Sequence, residues 1–576
     1  MLLISRLRLV LTSAVFSLVL LAVPAASETA NDTAAAKAPW WKHAVVYQIY
    51  PRSFKDSNGD GIGDIDGITS KLDYLQALGI DAIWLSPCYP SPQVDTGYDI
   101  SNYKDIDPQY GTLGDFDRLV SEAKKRNIRV LMDLVLIHTS DQHPWFKESR
   151  SSRNNPKADW YVWKDGKPNG DPPNNWKSFD DKDDSAWTYD STRKQYYYHI
   201  FRRSQPGLNW RNPEVRKEML NVARFWLDRG VAGFRLDAMT YLFEDRQFRD
   251  NPPYPNDNKF DAIAFGKYTW NLPEGHDVIR ELRSILDSYP GDPVLIGETD
   301  ANSAESLVSM YGKNLDEIQL PMNFGLYWVK FSPQLRQPIS AWDHNAAGGW
   351  PLYFFSNHDF PRSYTRLGDG VHNDQIAKLV AALLLTVRGT PIVYNGEEIG
   401  MSESSEKFIR DGMVPSGKIV QPPWDNRAGA RTPMQWNTSA NAGFSEARPW
   451  LPIPESFKTH NVATESSDPD SILNVYKRLL ALRRSHAALL DGDLIFVNEN
   501  DPAVLSYVRK SRDGSSSVIV ALNMTGEPHT VSLDLRAQGL STTSAKTLFA
   551  TDHSEMTPDS GQINLPPFGV FIGEVR

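Results

Sequence analysis

Three acidic side chains stand at the ends of otherwise apolar runs: Asp237 in GFRLDA, Glu298 in LIGET and Asp359 in FFSNHD. A charge at such a position is costly unless something compensates it. One acid of this kind would suit a helix cap or an ion pair; three that converge do not. Without a reactive thiol, a glycine-rich phosphate loop or a histidine-rich metal cluster, convergent carboxylates point to glycosidic chemistry, in which one attacks and a second supplies the proton. Arg235, two residues before Asp237 and so on the same face of a strand, can keep that acid ionised through a charge-assisted hydrogen bond. A second pattern is the loop Asp56-Ser57-Asn58-Gly59-Asp60-Gly61-Ile62-Gly63-Asp64. Oxygen-bearing side chains at alternate positions, with glycines for the curl, suit a hard cation, Ca2+ or Mg2+ in a structural role, with Asp56, Asn58, Asp60 and Asp64 as side-chain ligands and Ile62 giving its carbonyl. An Asx-rich turn without metal is the alternative.

Residues so distant in the chain need a scaffold to bring them together. From Ala44 to about Glu398, short apolar runs alternate with amphipathic segments, the pattern of parallel strands joined by crossover helices. Eight runs occur: Val45 to Tyr50, Asp81 to Pro87, Arg129 to Leu136, Ala232 to Ala238, Pro293 to Thr299, Ile318 to Phe324, Leu352 to Asp359 and Pro391 to Glu398. Between them, Phe116, Leu119, Val120 and Ala123 share one helical face, and so do Val215, Met219, Val222 and Trp226. The fold class expected is α/β, a (β/α)8 TIM barrel, with an open doubly wound sheet the less economical reading. In such a barrel the active site lies at the carboxyl ends of the strands, where Asp237, Glu298 and Asp359 fall.

Two stretches interrupt the rhythm. Residues 139–205, polar, aromatic and rich in Pro, Asn and Asp, read as an inserted domain after strand three, so that 40–138 and 206–488 form the barrel. Residues 399–470 are a second long irregular stretch. Alternating runs within 489–576 read as a carboxyl-terminal antiparallel β-sandwich. At the amino end, Arg6 and Arg8 precede an apolar stretch from Leu9 to Val23 and then Ala25-Ala26-Ser27, the layout of a secretory signal over 1–27. A flexible lead-in over 28–39 follows, and the expected location is secreted or periplasmic.

At 576 residues the chain exceeds what one hydrophobic core usually supports. A formal charge of −10 argues against nucleic acid and anionic membranes as partners. The single cysteine, Cys88, excludes an intrachain disulfide and a thiolate metal cluster. No segment after the amino-terminal stretch has membrane-spanning character, so no integral membrane association and no organic cofactor are expected.

The strings QIYPRSF, DSNGDGIGD, GYDISNY, GFRLDA, IGET, NHD and ARTPMQW, in order from Trp40 onward, resemble the α-glucosidase and oligo-1,6-glucosidase branch of the α-amylase superfamily, glycoside hydrolase family thirteen. The resemblance implies that Asp237 is the nucleophile, Glu298 the acid and base, and Asp359 the stabiliser of the oxocarbenium-like transition state, with retention of configuration. It implies that His138 and His358 hydrogen-bond the terminal glucose, that Tyr98 stacks on it, and that Asp99 with Arg431 closes the pocket, which makes the action exo. Substrates would be small α-glucosides. Ala238, following the nucleophile where α-1,6-specific members tend to carry valine, leans toward α-1,4 linkages, with sucrose as another substrate.

The sequence departs from the branch at Ile137 (usually Asn), Gly207 (usually Asp) and Phe360 (usually Gln). The last could reshape the acceptor side. Two rival activities share the scaffold, trehalose synthase and sucrose isomerase. A non-catalytic transporter heavy chain or a sugar-binding protein would use the barrel without chemistry, but the acids are intact. Glycosylation triplets begin at Asn31, Asn437 and Asn523 and decide nothing about the host.

Overall fold

The computed structural model describes residues 38–576 except 180–184, 254–265, 300, 302, 347, 405–425, 534, 536–543, 552–553, 557–560 and 576. The expected signal and most of the lead-in lie outside the described residues. Eight parallel strands lie in one sheet: β1 Val46–Ile49, β2 Ala82–Leu85, β3 Arg129–Val135, β4 Gly233–Asp237, β5 Val294–Gly297, β6 Leu320–Pro321, β7 Leu352–Tyr353 and β8 Thr390–Tyr394. The order around the sheet is β7-β8-β1-β2-β3-β4-β5-β6. A single parallel bridge between Met322 and Leu352 joins β6 to β7 and brings the ring round on itself. The α/β barrel expected from the hydrophobic rhythm is therefore the fold.

Strands six and seven are shorter than their apolar runs. Pro321 has no N–H to donate, although pairing with β5 continues past it through Met322 N–H to the Gly297 carbonyl at 2.8 Å. Alternation sorts the strand residues into two packed layers. Val46, Ala82, Trp84, Leu131, Val294, Ile296, Leu352 and Ile392 fill the barrel interior, while Tyr47, Ile83, Val130, Met132, Phe234, Leu236, Leu295 and Val393 belong to the larger core that includes the surrounding helices. Gly233 is needed where β4 crowds β5, because a Cβ there would stand 2.1 Å from the Val294 carbonyl oxygen.

The helices start where their caps dictate. Thr112 and Asp115 form a reciprocal capping box on Leu113–Lys125, which buries Phe116, Leu119 and Ala123. Asn212 caps Pro213–Asp228, which buries Val215, Met219, Val222 and Trp226. Between β3 and that helix lie the helix Pro144–Ser151 and a three-stranded antiparallel sheet of Trp163–Lys164, Gln195–Tyr198 and Trp187–Asp190. The bridge His138↔Gly207 ties the chain leaving β3 to the chain returning from this insertion, and Tyr161↔Leu208 ties that returning chain to the insertion itself. At Gly207 a Cβ would come to 3.0 Å from the Tyr198 ring, so the missing side chain suits this close packing. Ile137 is buried, and its carbonyl accepts from Leu208 N–H.

Toward the carboxyl end, five antiparallel strands (Asp493–Val497, Val504–Lys510, Ser517–Asn523, Val570–Val575, Ala545–Ala550) face a three-stranded sheet (His529–Ser532, Gln562–Leu565, Glu555–Met556). Val508, Ile519, Ala521 and Phe571 of the first pack with Val531, Ile563 and Leu565 of the second. The larger sheet is fastened to the barrel helix Asn373–Thr386 by Tyr507 against the Thr386 hydroxyl at 2.6 Å and by Arg509 donating to the Thr386 carbonyl at 2.6 Å. Among the described residues no helix is long and apolar enough to cross a membrane.

Candidate active site

The inward row of side chains, apolar toward the amino ends of the strands, becomes charged toward the carboxyl ends. Along β3 it runs Leu131, Asp133; along β4, Gly233, Arg235, Asp237; after β5, Val294 and Ile296 are followed by Glu298. Strand period alone thus delivers one cation and three acids to a single layer.

Arg235 is fully buried at its centre. Its Nη1 donates to Asp237 Oδ1 at 2.7 Å and to the two Asp133 oxygens at 2.9 and 3.2 Å. Its Nη2 lies 2.8 Å from Glu298 Oε1, and the guanidinium sits 5.2 Å from the Trp84 ring centroid. Burial pushes Asp133 up to about 6, with Arg235 opposing. Burial likewise raises Asp237 and Glu298; Arg235 pulls each down, and neighbouring carboxylates push each up. The group as a whole holds a proton at a pH where free carboxyls would have lost it.

Directly after Asp237 the chain turns sharply. Ala238 has φ +43° and ψ +37°, a left-handed conformation costing a residue with a Cβ roughly 1–2 kcal/mol. The turn aims its N–H at Glu298 Oε2, 2.9 Å away. Backbone strain next to one acid thereby fixes the orientation of the other.

Asp359 sits in the opposite charge balance. Its Oδ1 accepts from Arg431 Nη2 at 2.8 Å and Arg427 Nη1 at 3.1 Å, and its Oδ2 lies 3.1 Å from His358 Nε2. Burial would raise it, but His358, Arg427 and Arg431 outweigh burial and hold it well below the usual carboxylate range. His358 is pushed down to about 3, chiefly by burial. Gln48 Nε2 donates to its Nδ1 at 2.8 Å, so the ring proton is on Nε2, facing Asp359 and the Tyr98 hydroxyl at 2.5 Å. Tyr98 stacks on His358 at 5.4 Å between centroids and donates to Asp133 Oδ2 at 3.0 Å. His138, lowered by burial to about 4, touches the Tyr98 carbonyl and Gln205 Nε2 through its own Nε2, both at 3.1 Å. Its Nδ1 is buried with no hydrogen-bond partner among the described residues.

One expected pairing is corrected. Asp99 does not meet Arg431. Its carboxylate is consumed within its own loop, accepting from the Ser91 hydroxyl at 2.9 Å and from the N–H groups of Val94 and Asp95 at 3.0 and 2.9 Å. Arg431 instead donates to Asp359, the His358 carbonyl and the Thr96 hydroxyl. The acid at that end of the site is Asp95, which sequence reasoning missed. Arg427 Nη2 at 2.8 Å and Arg202 Nε at 3.2 Å reach its Oδ1, and Gln205 Nε2 reaches its Oδ2 at 2.9 Å. Arg427 bridges Asp95 to Asp359, a link across 264 positions that no local pattern displays. Positive φ at Gln93, Thr96 and Gly97 marks the tight loop that turns Asp95 and Asp99 in different directions. Asp133 and Gln48 were also missed; their signal was a polar residue at an inward position of an apolar strand.

In the loop 56–64, Asp56 accepts from the N–H groups of Asn58, Gly59 and Gly61 and from the Ser445 hydroxyl. Burial would raise it; the Ser445 hydroxyl and those three N–H groups together hold it below the ordinary carboxylate value. Asn58 and Asp60 accept from the N–H two residues on. Asp64 is engaged by Ser57 and caps the helix Ile65–Ser70 through Gly67 N–H. Among the described residues no group of three or more His, Cys, Asp or Glu side chains is placed to share an ion. A cation here would therefore lean on Asn58 and the Ile62 carbonyl together with Asp56 and Asp60, an all-oxygen set that fits a hard ion.

Comparison with known proteins agrees with this geometry. Residues 48–492 match the alpha amylase catalytic domain, and residues 494–572 the maltogenic amylase C-terminal domain. A probable alpha-glucosidase of Rhizobium meliloti is 44% identical over 522 residues, covering 88% of this chain and 94% of the relative. An oligo-1,6-glucosidase of Parageobacillus thermoglucosidasius is 40% identical, covering 84% and 90%. Among solved structures, the alpha-glucosyl transfer enzyme XgtA superposes with a TM-score of 0.84 at 38% identity, over 94% of this chain and all of the other. The trehalulose synthase MutB gives 0.83 at 37%, over 93% and 100%. With its catalytic barrel matched almost end to end, the chain belongs to the alpha-amylase family of glycoside hydrolases, among the enzymes that act on α-glucosides.

Proposed function

We propose that this enzyme is a retaining, exo-acting α-glucosidase that removes terminal glucose from maltose-like oligosaccharides or sucrose and prefers α-1,4 to α-1,6 linkages. The observation that carries the reading is Arg235 holding Asp237 and Glu298 on adjacent nitrogens of one guanidinium. Two acids so tethered suit the short separation of about 5–5.5 Å used by retaining enzymes, without room for a water between them. Asp237, ionised through Arg235, attacks the anomeric carbon and forms a glucosyl ester. Glu298 gives its proton to the departing oxygen, then takes one from the water that cleaves the ester. Asp359, kept anionic by Arg427 and Arg431, supports the positive charge on the ring. Neutral His138 and His358 serve as hydrogen-bonding groups, and the unpartnered His138 Nδ1 can meet a sugar hydroxyl. Asp95 with Arg427 blocks the far end, which favours exo action.

Incubation with maltose, isomaltose, sucrose and trehalose tests this. Glucose release, fastest from maltose, with at least ~10³-fold loss in kcat for Asp237→Asn, is the expected result. Rearranged disaccharides in place of glucose would favour an isomerase; the neighbour MutB is named a trehalulose synthase. We also propose a structural Ca2+ or Mg2+ in the loop after β1, on Asp56, Asn58, Asp60, Asp64 and the Ile62 carbonyl, where it would stiffen that loop. We further propose a secretory signal over 1–27, which amino-terminal sequencing of protein from its host would reveal as a start near residue 28.

A further inference from the structure

Resting on the glucosidase reading, we infer that Gln48, which touches no sugar in that reading, is a positioning residue for the reaction: it fixes the tautomer of His358 and, through it, the carboxylate of Asp359. Gln48 stands at an inward position of β1, fully buried, and is laddered on both sides, to Trp84 of β2 and Tyr394 of β8. Its Nε2 donates to His358 Nδ1 at 2.8 Å and to the Ser86 hydroxyl at 3.2 Å. The imidazole plane is held as well, since it stacks on Tyr98 at 5.4 Å and on Tyr50 at 6.0 Å between centroids. What remains free is the place of its proton.

The partners of the ring decide that place. At Nε2 stand Asp359 Oδ2, which has only lone pairs, at 3.1 Å, and the Tyr98 oxygen at 2.5 Å, whose own proton goes to Asp133 Oδ2. Both accept, so Nε2 must carry the proton and Nδ1 must be met by a donor. The amide of Gln48 donates there without bringing charge. A carboxylate in its place would draw the proton to Nδ1 and turn a bare Nε2 lone pair on Asp359. Neutrality matters because the charges around the ring already oppose one another: Asp359 favours an imidazolium, Arg431 and Arg427 from beyond β8 and Arg235 from β4 disfavour it, and burial keeps the ring neutral. The resulting Nε2–H holds Asp359 Oδ2 while the two arginines hold Oδ1. Each oxygen of the stabilising carboxylate thus has its own donor.

The test is the pH profile of kcat on maltose for the wild type, Gln48→Glu and Gln48→Met, with thermal midpoints measured alongside. In acid, the new carboxyl of Gln48→Glu and His358 share one extra proton, and the Nε2–H survives wherever that proton sits; once it is lost, the tautomer inverts. The alkaline limb of Gln48→Glu is therefore expected about one pH unit or more below that of the wild type. Above it, kcat should fall to the level of Gln48→Met, which fills the space without donating and is expected to lose about tenfold. A carboxylate acting only as a charge would raise the Glu298 carboxyl and move the limb upward, and a packing defect would lower kcat alike at every pH. A limb that stays or rises in Gln48→Glu, in a wild type that releases glucose, overturns the role of Gln48 and leaves the glucosidase reading standing. A wild type that releases none overturns both. Should neither variant fold, the ring nitrogen shifts of His358 in the wild type decide, assigned by NMR as the pair missing from His358→Gln. A protonated Nε2 beside an unprotonated Nδ1 is expected throughout about pH 5 to 8, and a proton on Nδ1 overturns the assignment.

Discussion

Arg235 is the residue on which the chemistry turns, because one buried cation answers three carboxylates and its allegiance can be redistributed. Asp133, which touches no reacting atom in the proposed mechanism, competes with Asp237 for the same Nη1 and repels it as a like charge. Asp133→Asn removes the repulsion and weakens the competition, since an amide oxygen still accepts but carries no charge, so the pKa of Asp237 should drop and the nucleophile should remain ionised in more acidic solution. The acid limb of the kcat/KM profile is expected to move to lower pH, whereas the alkaline limb, set by Glu298, should move less. A merely structural role for Asp133 would lower kcat without shifting that limb. The residue scale is also where sequence reasoning was strongest and where it failed. Asp237, Glu298 and Asp359 stood out because each ended an apolar run. Asp95 and Arg427 did not, since one lies in an irregular loop and the other in the short 3-10 helix Asn426–Arg431, and each acquires meaning only through the other. Asp99, in the more conspicuous GYD string, proved to be a loop-builder.

At the scale of elements, the barrel was legible because its strands carry an unbroken hydrophobic rhythm. The limits of β6 and β7 were less so, since the apolar residues beyond them pack as irregular chain. The loop 56–64 is the element whose content the sequence most directly advertised. Its backbone N–H groups already use one face of Asp56, Asn58 and Asp60, which preforms the curl and leaves further oxygen lone pairs available to an ion. Chelation is expected to lower the thermal midpoint by about 2–5 °C and calcium to restore it, by mass action on the folded state. Differential scanning with EDTA and then with excess Ca2+ measures this, and an unmoved midpoint would rule the ion out.

For the whole molecule, burying acids ties stability to pH. Asp99 and Asp133 are raised by burial to about 6, and Glu397, buried just beyond β8, to about 7. Each binds its proton more tightly folded than unfolded, where carboxyls titrate near pH 4. As pH falls from 8 through 7 and 6 the folded state takes up protons first, so these groups make the protein more stable. Asp95 and Asp359, lowered in the fold by their arginines, act in the other direction and withdraw their contribution only below about pH 4. The buried His138, His143 and His358, lowered by burial, oppose this gain as pH falls through about 6.5, where unfolded imidazoles take up protons. The carboxyl contribution should therefore be read from a variant: between about pH 8 and pH 6 the thermal midpoint of Glu397→Gln should rise less, or fall more, than that of the wild type, and identical profiles would contradict it.

The lone rung between Met322 and Leu352 carries one more consequence. Elsewhere around the ring, neighbouring strands are locked by ladders that any change of spacing would break. Here the gap is kept by aromatic bulk, chiefly Phe324, Phe354 and Phe360. Substitution among these rings can therefore change the spacing of β6 and β7 at the cost of one backbone rung, which makes this the seam where the ring can yield without losing a ladder.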